Sequence, residues 1–163
     1  MSLTSRIVFG SNPRRTFVRI AVLAAVSFVT FGWVLIPMRA EGISMQPAYE
    51  SGSLHLVNRL AFVSHRPSRG DVIAIRLAGP HVLYVKRIIA LPGERLEIVE
   101  GQVYVNGAPL VETYVHSRRP WNVPEVTLTS REYYVIGDNR GMLARDHSFG
   151  RVDVSRIAGE VIF

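Results

Sequence analysis

Within residues 71–86, Asp71-Val72-Ile73-Ala74-Ile75-Arg76 and His81-Val82-Leu83-Tyr84-Val85-Lys86 are two short runs rich in β-branched residues. Their near-period-two alternation reads as strands. Similar runs occur on both sides: Leu54-His55-Leu56-Val57 before them, and after them Arg95-Leu96-Glu97-Ile98-Val99, Gln102-Val103-Tyr104-Val105, Glu132-Tyr133-Tyr134-Val135-Ile136 and Gly159-Glu160-Val161-Ile162-Phe163. Glu100-Gly101 and Asn106-Gly107 punctuate them, and Asn-Gly is the strongest short-range hairpin signal. Residues 99–111 therefore read as one β-hairpin pair. Arg118-Arg119-Pro120-Trp121-Asn122-Val123-Pro124 holds two prolines and no periodicity, which reads as a loop. The expected fold is mainly β: a compact antiparallel β domain over residues 38–163.

One segment breaks this pattern. From Ile20 to Ile36 the chain reads IAVLAAVSFVTFGWVLI, without a charge. Such a length is at the lower limit for crossing a hydrocarbon core of about 30 Å, and Phe17 and Val18 extend it enough to span. Arg6, Arg14, Arg15 and Arg19 precede it with no acidic residue among them, so the positive-inside rule places the N-terminus in the cytoplasm. Arg19 can snorkel to the headgroups, Trp33 fits the aromatic belt at the far interface, and Pro37 is expected to end the helix. Ile36-Pro37-Met38 is a poor small-residue cleavage site, which favours an uncleaved anchor over a signal sequence. The expected organisation is a basic cytoplasmic N-terminus (1–16), a transmembrane anchor (17–37) and an extracytoplasmic β catalytic domain (38–163). The chain then belongs to the cytoplasmic (inner) membrane, single-pass, with the lipid bilayer as a partner.

The 163-residue chain has no cysteine, which excludes disulfides, thiol catalysis and cysteine-based metal sites. Its net charge of +6 suits an anionic surface, yet the basic residues are dispersed rather than interleaved with aromatics, so no nucleic acid is expected. His55, His65, His81, His116 and His147 are scattered without the spacing of a zinc-binding helix. Solvated histidines are expected, with no metal and no cofactor.

Three segments carry chemistry. Ser44, in Glu41-Gly42-Ile43-Ser44-Met45-Gln46-Pro47, by itself reads as a turn serine. In Tyr84-Val85-Lys86-Arg87-Ile88-Ile89-Ala90-Leu91-Pro92-Gly93-Glu94 two adjacent cations interrupt an apolar strand and point to opposite faces. A buried lysine must pair with an acid or lose its proton, and desolvation can make the neutral amine a base near pH 7 to 8. Gly137-Asp138-Asn139-Arg140 leaves a strand as a turn.

Taken in order, these segments resemble the type I signal peptidases, a family of serine/lysine proteases, from about Gly42 to the C-terminus. Ser44-Met45-Gln46-Pro47 matches the nucleophile motif, Gly70-Asp71-Val72 the next block, Tyr84 to Arg87 running into Leu91-Pro92-Gly93-Glu94 the base motif, and Gly137 to Arg140 with Phe149-Gly150 the last. The resemblance implies Ser44 as nucleophile, Lys86 as general base, and an exported preprotein, cleaved after small residues, lying as a strand along residues 82–85. Gly42, Met45, Tyr84 and Val85 are the expected oxyanion and substrate-binding residues, and Arg87, Asp138, Asn139, Asp146 and Ser148 the supporting ones. A monomer is expected. Two departures stand out. Gly42 stands where some relatives have a serine whose hydroxyl binds the oxyanion. Ungapped, Leu143 and Arg145 occupy the places of a serine that bonds the lysine and of an aspartate; a one-residue shift lets Asp146 pair with Arg87, with Ser148 as the substitute hydroxyl. Rival readings are a dedicated peptidase maturing a single pilin or conjugation-type substrate, and a catalytically impaired membrane-tethered β domain binding exported chains.

Overall fold

The computed structural model describes residues 12–78, 82–147 and 150–162. Helix α1 (Pro13–Val29) starts at Asn12, whose side chain accepts from the Arg15 amide, and passes into a π-helical turn, Thr30–Val34. Residues 14–34 form one apolar helical run with a mean hydropathy of 2.0 and none of it buried. At 1.5 Å per residue it is about 30 Å long. The helix stops at Val34 and not at Pro37, because Leu35-Ile36-Pro37-Met38-Arg39 is strand β1 (Leu35–Arg39). This strand lies at a sheet edge, where a proline's missing N–H does no harm.

Ten further strands follow: β2 (Leu54–Asn58), β3 (Val72–Ala78), β4 (Val82–Ala90), β5 (Arg95–Val99), β6 (Gln102–Val105), β7 (Ala108–Pro109), β8 (Val123–Thr127), β9 (Glu132–Ile136), β10 (Gly150–Asp153) and β11 (Ile157–Ile162). They form a seven-stranded sheet, β1-β2-β11-β3-β4-β9-β10, and a four-stranded sheet, β7-β6-β5-β8. Among the described residues every strand pairing is antiparallel, in keeping with the mainly β expectation.

The region 99–111 is not one hairpin but two tight turns in succession. Glu100 (φ 48°) with Gly101 (φ 81°) joins β5 to β6, and Asn106 (φ 53°) with Gly107 (φ 80°) joins β6 to β7. Two consecutive positive φ values give the twist that antiparallel strands require of a two-residue turn. The loop expected over 118–124 ends early: Val123 and Pro124 begin β8, again an edge strand. The core joining the two sheets consists of Ile89, Ala90, Leu96, Ile98, Val103, Val105, Trp121, Leu128, Tyr134 and Ile136. Each fully buried aliphatic side chain in it contributes about 1.5–3 kcal/mol. A register shift between Ile88 and Ala90 bends β4 where it passes from one core to the next.

Candidate active site

Ser44 lies in the turn-rich segment between β1 and β2, and Lys86 lies in the middle of β4. Lys86 Nζ donates to Ser44 Oγ at 2.6 Å. The lysine is 4% exposed, and its Nζ is 5.8 Å from the centroid of the Tyr84 ring. Burial lowers its pKa to about 8, and the nearby Asp138 carboxylate offsets part of that effect. An amine so placed is about half neutral at pH 8 and can then take a hydroxyl proton.

Arg87, the other cation of the pair, is also mostly covered. Its guanidinium forks onto Asp138, Nε to Oδ1 at 2.8 Å and Nη2 to Oδ2 at 2.5 Å, while Nη1 donates to the Gly70 carbonyl at 2.6 Å. The Tyr114 ring lies 4.2 Å from Arg87 Cζ. The expected pairing of Arg87 with Asp146 therefore does not form. Asp146 lies in an exposed 3-10 turn, its carboxylate 3.8 Å from Arg145, and Asp138 holds Arg87 because its turn leaves β9 next to β4. Ser148, Phe149 and His81 lie outside the described residues. Leu143 is 39% exposed.

The Gly137–Arg140 turn grips Ser44 by its backbone. The Asn139 amide donates to the Ser44 carbonyl and Asn139 Nδ2 to the Ile43 carbonyl, each at 3.0 Å. A Cβ on Gly137 would run into the Ser44 carbonyl oxygen, so this approach needs glycine. Gly42 adopts φ 92°, and its amide donates to Ser51 Oγ at 3.2 Å. Gly42, Ser44, Met45, Tyr84, Val85 and Lys86 line one crevice of about 30 Å³. Beside it, β9 pairs with β4 from Arg87 onward, so, among the described residues, 83–86 have a strand partner on the β3 side alone.

Two groups have no counterpart among the expected site residues. Buried Glu112 accepts from Arg140, Tyr114 and Arg118. No local pattern announces this, since Glu112 and Arg140 are 28 residues apart and become neighbours only through the fold. Of the histidines, His55 bonds Ser53 Oγ at 2.7 Å, His65 bonds the Arg66 carbonyl, and His147 is buried against Trp121, contrary to the solvated state expected of it.

A serine hydroxyl and a buried amine in hydrogen-bond contact have the chemistry of a nucleophile and a base. A family model described as signal peptidase, peptidase S26, matches residues 14–163, and the chain belongs to that family of serine endopeptidases. It is 32% identical over 141 residues to a probable signal peptidase I of Synechocystis sp. (strain ATCC 27184 / PCC 6803 / Kazusa), covering 80% of this chain and 71% of that one. Signal peptidase I of Bacillus caldolyticus is 32% identical over 161 residues, covering 90% and 86%. Among solved structures, a signal peptidase I from Enterococcus faecalis V583 is 27% identical, covering 60% of this chain and 97% of that one, with a TM-score of 0.49.

Proposed function

We propose that this chain removes signal peptides from exported preproteins, with Ser44 as nucleophile and Lys86 as general base. The observation that carries this reading is the 2.6 Å contact between Ser44 Oγ and a lysine whose pKa burial lowers to about 8. In the neutral amine the contact reverses: Nζ accepts the serine proton as Oγ bonds to the scissile carbonyl carbon. The protonated lysine then gives that proton to the departing amine as the C–N bond breaks, and water, deprotonated by the same lysine, releases the acyl group. The one-sided edge of β4 at 83–86 suits an extended substrate adding as a strand, and the small crevice beside Ser44 suits a small side chain before the cut. Helix 14–34 acts as a single membrane anchor with a cytoplasmic N-terminus, which puts the β domain on the outer side where a signal peptide's end emerges.

The test is cleavage of a model preprotein in detergent by wild type, Ser44→Ala and Lys86→Ala. Both variants should lose at least about a thousandfold in kcat, and wild-type turnover by either would remove the dyad. The impaired-domain reading drew on Leu143 and Arg145. Asp138 already supplies an acid beside Arg87, so Arg145 does not by itself argue for lost activity.

A further inference from the structure

Glu112 carries a fully buried carboxylate with three donors around it. Arg140 Nη2 donates to Oε1 at 2.5 Å and Nη1 to Oε2 at 3.3 Å; Tyr114 Oη donates to Oε1 at 2.9 Å, and Arg118 Nη2 to Oε2 at 3.4 Å. Arg140, 2% exposed, uses its Nε on the Gly137 carbonyl at 2.9 Å. One guanidinium thus ties Glu112 to the turn that holds Ser44 and Ile43 through Asn139 and holds Arg87 through Asp138. Tyr114 adds a second route, its hydroxyl on Glu112 and its ring on Arg87, the neighbour of Lys86.

We infer that Glu112 is a positioning residue for the Ser44–Lys86 contact, acting through Arg140 on the Gly137–Arg140 turn and through Tyr114 on Arg87. The inference rests on the dyad reading above. Buried ion pairs often add little to stability, because desolvating both charges offsets their attraction. This one is joined at both ends to the backbone of the nucleophile and the neighbour of the base, where displacements of about 1 Å change rates up to about a hundredfold.

The test measures kcat, KM and thermal stability of the full chain in detergent with a model preprotein. Glu112→Asp keeps the charge and shortens the reach. It should lower kcat about ten- to a hundredfold and leave KM within about twofold, because the crevice is not touched. Tyr114→Phe, which deletes one hydroxyl and keeps the ring on Arg87, should lower kcat several-fold at unchanged KM and remains informative if Glu112→Asp folds poorly. Asn139→Ala completes a cycle: if Glu112 works through the turn, Glu112→Asp combined with Asn139→Ala loses little more than the worse single variant. Lowered melting temperature with wild-type kcat per folded molecule, or kcat losses that simply multiply, would overturn the positioning role and leave a structural ion pair. The dyad stands or falls separately, on Ser44→Ala and Lys86→Ala in the same assay.

Discussion

The ammonium of Lys86 is buried against a serine hydroxyl, and Asp138 makes its bidentate contact with Arg87 rather than with Lys86. The folded state therefore resists protonating Lys86, which sets the sign of two effects. Activity should rise with pH through an apparent pKa near 8, the value burial gives the amine. Stability follows the same group: the unfolded chain binds a proton near 10.5 and the folded chain near 8, so the penalty is full below pH 8 and disappears between 8 and 10.5. Lys86→Met should accordingly abolish cleavage and stabilise the protein at pH 7 by up to roughly 3 kcal/mol, with the gain shrinking as pH climbs through that window. Denaturant midpoints at pH 7 and 10 check this, and equal gains at both would show that the buried charge is not the cause. The lysine and serine were legible in their motifs. Glu112 was not, because its partner Arg140 is brought to it by two turns and a strand crossing that no local spacing encodes.

Among elements, α1 and β1 were the hardest to divide from sequence. The apolar block runs unbroken from helix into strand, and only pairing of Leu35 with Asn58 and Met38 with His55 marks the change. Strands β5 and β6 match their alternating runs, since each has one face on a core, whereas β9 is a continuous apolar run because Tyr134 and Ile136 face one core and Tyr133 and Val135 another. Strand β8 was hidden by Pro124 because an edge strand tolerates what a central strand would not. Leu23, mid-helix and 66% exposed, faces lipid in the proposed anchor. Leu23→Lys should cost insertion about 2.5–3.5 kcal/mol and move a measurable share of the protein into the supernatant of an alkaline carbonate extraction. Full retention in the pellet would count against a single spanning helix.

At the scale of the whole molecule, the apolar helix and the seven-stranded sheet are joined without a long linker. Strand β1 continues directly from the helix, and the Arg59 amide donates to the Val34 carbonyl at 2.9 Å, fixing the end of β2 to the helix exit. Ser44 follows β1 by five residues, so the site is held close to the bilayer surface of the proposed topology. Enzyme and substrate in one membrane meet at a concentration set by the vesicle and not by the solution. Cleavage of a co-reconstituted preprotein should keep its rate on tenfold vesicle dilution, whereas a soluble peptide at the same total amount should lose about tenfold. Equal losses for both would show that the anchor contributes nothing to encounter. The sequence by itself determined the apolar span, the mainly β character and the two residues of the proposed dyad, because hydropathy, alternation and short motifs are local. Only the tertiary structure decided that Asp138 rather than Asp146 holds Arg87, that Lys86 is the buried cation of β4 while Arg87 is partly covered, and that Glu112 braces the turn behind Ser44. Those facts depend on which distant strands lie side by side, and on burial, which turns a basic side chain into a base.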